Sequence, residues 1–454
     1  MDATADAARG WSAADQGRAI AAGRLDPVAL FEAYLDAILS HPAAGLIYAR
    51  LTPDRGRAEA EAARTRALDG RTLGPLDGVP VSWKDLFDTA GVATESGSRL
   101  LAGRTPTADA AVLAQATAAG SVCLGKTHLS ELAFSGLGVN PMTATPPNRH
   151  GAALVPGGSS SGAAASLAFG LAPLAMGSDT GGSVRIPAAW NDLVGLKTTV
   201  GLLPLTGCVP LAPSLDTVGP LARSVEDTAL ALGLLSGEAA PALGEGDPAS
   251  LTLHVSETLG FDGIEEGIAA GIEGALTRLS AAGATVTRGP FTAFAEALEI
   301  AAALSPVVTV EGWQCWGETI EAHPDTLYPM IEARFRQGAK VSAENHAEAL
   351  IRLKAVRDRA VGEMGDRGLI VMPTVPFAPP RLTALLTDES YYVSRNLRAL
   401  GNTRVVNLLG LSAITIPTGT PHAGLMLIGP PMAEATLLRA GHAVERALGS
   451  GAIA

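Results

Sequence analysis

The stretch VPGGSSSGAAASLAFGLAPLAMGSDTGGSVRIPAAWNDLVGLKTT, residues 155–199, decides how this chain is read. Two turns rich in glycine and serine flank one apolar run. The pattern predicts a helix over about 162–171 and a short strand near 172–177, which returns the second turn to the side of the first. Ser159 and Ser183 then occupy neighbouring turns. Around Ser183 the backbone N–H groups of Thr180, Gly181, Gly182 and Ser183 are candidates for an oxyanion hole. Acyl transfer builds negative charge on a carbonyl oxygen, and converging N–H donors stabilise it. Glycines permit the close approach this requires. A nucleophilic serine at 183 also needs a base, and the nearest histidines in sequence are His150 and His254.

Upstream, LDGVPVSWKDLFDTAG (76–91) offers Lys84 at the end of an apolar run, beside Trp83. Burial disfavours the charged form of an amine, and a neutral lysine can act as a base. Composition alone favours a plainer reading, a solvated strand-end charge next to Asp85. Two other motifs match on paper. GSVCLGKT (120–127) has the P-loop spacing, but Ser-Val-Cys-Leu between its glycines is an apolar run predicted to be a strand. A strand commits its N–H groups to its neighbours, so the P-loop reading is rejected. GSSSG (158–162) has the nucleophile-elbow pattern with Ser160 at its centre. An elbow needs an entering strand, and Pro156 weakens one here. His254, His323, His346, His422 and His442 lie downstream, which keeps a Ser-His-Asp esterase built on Ser160 open as an alternative.

The bulk properties narrow the class. The 454 residues are 47% hydrophobic and 17% charged, a globular and not a disordered composition. The net charge of −12, with no Lys/Arg run, provides no footprint for nucleic acid or anionic lipid. Cys123, Cys208 and Cys315 lack metal or disulfide spacing and suit a reducing cytoplasm. No metal and no cofactor is expected. MDATADAARG has no basic segment followed by an apolar one, so a signal peptide is not expected. The apolar stretch 163–177 is too short to cross a bilayer and is interrupted by Gly170 and Pro173, so it reads as buried helix.

Along the chain, LDPVALFEAYLDAIL (25–39) reads as a helix with Asp26 as N-cap and Pro27 in its first turn. From about residue 72 short apolar runs alternate with helical stretches. Residues 235–250 read as a surface loop, 264–289 as a helix ending near Gly283 and then a strand, and 290–365 as helical. GLIVMPTVP and LSAITIPTG read as buried strands. The expected organisation is one α/β domain over 1–454. It has N-terminal helices (1–70), a core (71–234), a variable helical region (235–365) and a C-terminal part of the core (366–454).

With these segments in hand, the chain resembles the amidase signature family over roughly residues 15–447. GVPVSWKDLFDTAG, LGKTHLSELAFSGLGVN, VPGGSSSG, GSDTGGSVRIPAAWNDLVGLK, NTRVVNLLGLSAITIPTG and GLMLIGPPMAEATLL carry the resemblance. Thr199 and the Trp190-Asn191-Asp192 run depart from the family's commoner residues. The resemblance implies an α/β fold with a mixed central β-sheet flanked by helices and a helical insertion in the second half. It also implies a Ser–cis-Ser–Lys triad. Ser183 matches the nucleophile, Ser159 the bridging serine that comes after a cis peptide, and Lys84 the end of the relay. The implied activity is hydrolysis of a small-molecule linear amide through an acyl-enzyme. The alternative within the family is the amidase subunit of a glutamine-dependent tRNA amidotransferase, which needs partner chains; a homodimer is another assembly this reading allows. Asp179 and Arg185 are read as a pair that fixes the loop, and Ser160 and Ser161 as ordering the first turn. Substrate contacts are expected from 290–345 and a loop at 380–395. The candidates are Phe134, Trp313, Trp316 and Tyr328, with Tyr391 and Tyr392 in the second region.

Overall fold

Eleven strands form one mixed sheet, described by a computed structural model over residues 4–449. In chain order they are β1 (Tyr48–Leu51), β2 (Pro80–Lys84), β3 (Val122–Thr127), β4 (Leu174–Ser178), β5 (Val194–Lys197) and β6 (Val218–Ala222). Then come β7 (Thr252–Ser256), β8 (Thr285–Gly289), β9 (Leu369–Pro373), β10 (Ser412–Pro417) and β11 (Gly424–Gly429). Their order across the sheet is β1-β3-β2-β4-β6-β5-β10-β11-β9-β7-β8. β2 runs parallel to both β3 and β4, and β7 parallel to both β8 and β9; the remaining pairs are antiparallel. β2, β4, β10 and β11 are buried at every residue, although β2 carries Ser82 and Lys84, β4 carries Ser178, and β10 carries Ser412 and Thr415.

Local chemistry accounts for the element ends. The helix Pro27–Ser40 begins where the Asp26 carboxylate accepts from the Val28 N–H, with Pro27 in the first turn. The helix Glu266–Ala281 ends before Gly283 and leads into β8. The apolar stretch 163–177 is not one buried helix. The helix Ser161–Ala168 ends ahead of Gly170 and Pro173, and β4 comes next. That short helix lies close over its neighbours because it begins with small residues; a Cβ at Gly162 would meet the His128 N and the Ile47 O at 2.6 Å.

Two further features differ from the sequence expectation, and a third, the strand β6, answers to none. The N-terminal segment includes β1, a strand too short to show periodicity. β6 carries Pro220, a residue that argues against a strand, yet it pairs with β4 and β5. The region 380–395 is not a loop but two helices, Leu382–Thr387 and Glu389–Ala399. The second-half segment is mainly helical (Ala293–Ala303, Val307–Ala322, Pro329–Gly338 and Ala343–Arg367), and it also supplies β7 and β8 at the sheet edge. No single helix among the described residues is long and apolar enough to cross a membrane.

Candidate active site

Parallel pairing of β2 with β4 builds the first half of the site. Trp83 lies opposite Met176, so the two strands deliver Lys84 and Ser178 to the same edge. The Lys84 Nζ lies 2.7 Å from Ser159 Oγ, 2.8 Å from Ser178 Oγ and 3.1 Å from Ser160 Oγ. Its side chain is fully buried. Burial pushes the amine down to about 7, against the opposing pull of Asp179 and Asp216. A neutral amine has two N–H donors and one lone pair, and a hydroxyl can serve either need. The Gly158–Ser159 peptide is cis. The Ser160 hydroxyl is occupied by Lys84 and by the Ser178 backbone. No histidine ring among the described residues hydrogen-bonds it. His254 holds Thr287, His346 holds Ser305, and His422 holds the Trp190 carbonyl.

The second turn is tied to the first by the Ser160 N–H, which donates to the Ser183 carbonyl at 3.1 Å. Asp179 organises the turn that leaves β4. Its carboxylate accepts from the Gly182 N–H at 2.8 Å, the Val184 N–H at 3.1 Å and the Asn407 amide at 2.9 Å. Arg185 closes the arrangement with Nε at 3.0 Å and Nη2 at 2.9 Å from the same carboxylate. Both partners are fully buried. Burial alone would raise Asp179, but Arg185 outweighs it and holds the carboxyl well below its usual range. Contrary to the expectation from sequence, the Gly182 N–H is spent on Asp179, which removes it from the oxyanion candidates. The N–H groups of Thr180, Gly181 and Ser183 have no acceptor among the described residues. Gly182 must still be glycine, since its φ is +133° and a Cβ would lie 2.1 Å from Thr403 Oγ1. Thr180 is fixed through its hydroxyl, which donates to Asp216 at 2.5 Å.

Thr180 borders two cavities. One, of about 100 Å³, runs past Ala133, Ser178, Cys208 and Asp216. The other, of about 350 Å³, is walled by the helices of the second half together with Tyr392, Asn396 and Arg404. None of Phe134, Trp313, Trp316 or Tyr328 lines either cavity. Phe134 is buried against Phe335 and lies beneath the Arg334 guanidinium. Trp313 packs into the core beside Arg336, and the Trp316 indole donates to the Pro210 carbonyl. Tyr328 packs edge-on against Tyr392, the aromatic that does reach the larger cavity. Sequence reasoning missed Ser178, Asp216, Arg334 and Arg404. The one available signal was an arginine set in the otherwise uncharged run NTRVVNLLG.

A family model described as Amidase matches residues 29–438. The 2-amino-5-chloromuconic acid deaminase of Comamonas testosteroni is 39% identical to this chain, over 412 residues that cover 87% of each. A glutamyl-tRNA(Gln) amidotransferase subunit of Chloroflexus aggregans (strain MD-66 / DSM 9485) is 32% identical, covering 94% of each chain. A solved structure described as a crystal structure of amidase superposes with a TM-score of 0.86 at 26% identity, covering 96% of this chain and 100% of the other.

Proposed function

We propose that this chain, which belongs to the amidase family and is an amidohydrolase acting on C–N amide bonds, works through an acyl-enzyme on Ser183. The observation that carries the reading is a buried Lys84 amine, brought to about 7, 2.7 Å from Ser159 Oγ. Ser183 Oγ attacks the carbonyl carbon and passes its proton to Ser159 Oγ while Ser159 passes its own to Lys84 Nζ. The new C–O bond leaves a negative oxygen for the free N–H groups of Thr180, Gly181 and Ser183 to stabilise. On collapse the C–N bond breaks, and the leaving amine takes the proton back from Lys84 through Ser159. Water then repeats the sequence on the ester, releasing the carboxylic acid and restoring Ser183.

Intact-mass measurement across a panel of amides and esters tests this. An acyl adduct mapping to the peptide that contains Ser183, and absent in Ser183→Ala, is the expected result. An adduct on another residue, or full turnover by Lys84→Ala, overturns it.

The full-length match to amidotransferase subunits favours one second reading, in which the chain supplies ammonia within a tRNA amidotransferase. Hydrolysis of simple amides by the chain alone supports the first reading. Ammonia release from glutamine only when partner subunits are added supports the second.

A further inference from the structure

The larger cavity beside Thr180 has a charge imbalance. Its polar lining includes Arg334, Arg404, Tyr392, Asn396, Gln337 and two threonines, Thr180 and Thr309, and no acidic side chain among the described residues lines it. Part-buried Arg223 is held by the Arg9 and Trp11 carbonyls, whereas Arg55, Arg66, Arg104 and Arg185 hold the carboxylates of Asp109, Asp77, Asp88 and Asp179. Arg334 and Arg404 do not. Arg334 Nη1 donates to the Phe134 carbonyl at 2.8 Å, and its guanidinium lies 4.0 Å from the Phe134 ring centroid. The Arg404 side chain makes no hydrogen bond or ion pair among the described residues, and its Nε is buried without a partner. Nearby acids are committed elsewhere: Glu332 holds Arg336, Asp216 holds Thr180, and Glu131 holds Ser98 and the Tyr328 N–H.

Both guanidinium groups are harder to charge than usual. Burial pushes Arg334 down to about 10, with Tyr392 opposing and the like charge of Arg404 adding to the effect. Burial lowers Arg404 as well. Two like charges that line one cavity with no counterion between them repel each other, which an anion placed there would relieve. The pair is also fixed relative to the reaction site. Arg404 is next in sequence to Thr403, whose hydroxyl donates to the Gly181 carbonyl at 2.7 Å. A Cβ on Gly181 would lie 3.9 Å from Arg404 Cβ. A planar guanidinium presents paired donors that match a carboxylate.

We infer that Arg334 and Arg404 hold a carboxylate group of the substrate, so that the amide cleaved is carried on a short molecule with an anionic end. The binding half of this inference stands without the Ser183 chemistry; the turnover half rests on it.

The test separates the two. Calorimetry on the Ser183→Ala protein measures binding of succinate, of the neutral diamide succinamide and of inorganic phosphate. Succinate is expected to bind about 100-fold more tightly than succinamide, the size of a charge-assisted pair. Arg404→Met should erase that difference, while Arg404→Lys keeps part of it. Arg439→Met, in a separate cavity, should leave it unchanged. In the wild-type protein the ratio of kcat/KM for succinamate over butyramide should be about 100 and should collapse in Arg404→Met. Equal binding of succinate and succinamide, or tighter binding of phosphate than of succinate, overturns the inference. Succinate binding with no turnover of any amide would leave it standing and remove the Ser183 reading. Butyramide turnover equal to that of succinamate, without succinate binding, would do the reverse. If Arg404→Met does not fold, judged by its thermal transition, Arg404→Lys and Arg334→Lys decide, and an undiminished ratio in both overturns the inference.

Discussion

Lys84 and Lys197 end two strands of the same sheet, β2 and β5, and both are fully buried. Burial brings each amine to about 7, and Asp179 pulls both upward. They differ in what surrounds the nitrogen. Lys197 Nζ donates to two backbone carbonyls, Thr198 at 2.9 Å and Leu411 at 2.8 Å. A carbonyl can only accept, so the Lys197 lone pair has nothing to take a proton from. Lys84 faces three hydroxyls, each able to donate as well as accept. A depressed pKa therefore does not mark a base by itself. The donor capacity of the neighbours decides whether a proton can move, and the two lysines separate those conditions within one molecule.

The largest expected effect breaks the pair apart directly. Lys84→Ala and Ser183→Ala should each reduce kcat by about 10⁴-fold or more, the scale seen when one member of a nucleophile–base unit is removed. Lys197→Met should leave kcat within about threefold, as should any single histidine substitution. Steady-state turnover of one amide by all variants checks this. Comparable losses at Lys84 and Lys197 would mean that both act through folding and that the hydroxyl environment is irrelevant.

The next effect concerns the residue the lysines share. Asp179 is buried with Arg185 and pins the Gly182 and Val184 N–H groups. Asp179→Asn leaves the Arg185 charge uncompensated and should destabilise the fold by about 3–5 kcal/mol in denaturant unfolding. It also removes the anion that raises both lysines. In the proposed mechanism the acid limb of kcat/KM is set by loss of neutral Lys84 below about 7, and it should then move to lower pH. A limb that stays in place would exclude Lys84 as the titrating group.

The contrast between the lysines also explains why part of the molecule was legible in sequence and part was not. Asp26 with Pro27, and the stop at Gly283, are local signals, and their helices end where those signals put them. Lys84 and Lys197 both stand at the end of apolar strands, and pattern alone does not distinguish them. What distinguishes them is the parallel register of β2 on β4, which places Ser178 beside Lys84 and which no local signal encodes. The same holds for the donor set at the second turn. Four consecutive N–H groups are visible in TGGS, but the diversion of the Gly182 N–H to Asp179 depends on how the backbone turns. Aromatic residues drew attention as pocket walls, yet Phe134, Trp313 and Trp316 pack or hydrogen-bond away from the cavities. Tyr392 does line the larger cavity, and so does Arg404, an isolated charge in an otherwise uncharged run. A charge that the local pattern gives no reason to bury is therefore a pointer of its own, beside an aromatic that has every reason to be core.

A smaller effect isolates the structural role of Lys197. Lys197→Met leaves the Thr198 and Leu411 carbonyls without their donor in a dry interior. Loss of that partner should cost about 1–3 kcal/mol, read from the denaturant midpoint at constant slope. No loss would mean that the carbonyls find other donors.

The smallest effect is the one in which the two lysines should behave alike. Each amine titrates at about 7 when folded and at its ordinary 10.5 when unfolded. Between those values the unfolded chain binds more protons than the folded one, so unfolding free energy rises with pH across that window. The contribution is lost as pH falls toward 7, and below 7 both states are charged and the slope vanishes. Each lysine adds at most about 1.4 kcal/mol per pH unit to that slope. Thiols and phenols also titrate there, but they are common to all variants and cancel in the difference from wild type. Lys84→Met and Lys197→Met should therefore flatten the pH dependence of stability between about pH 7.5 and 9.5 by similar amounts, while only Lys84→Met removes turnover. If Lys197→Met leaves the slope untouched, Lys197 is charged in the folded protein. The contrast with Lys84 would then rest on charge state and no longer on what each amine faces.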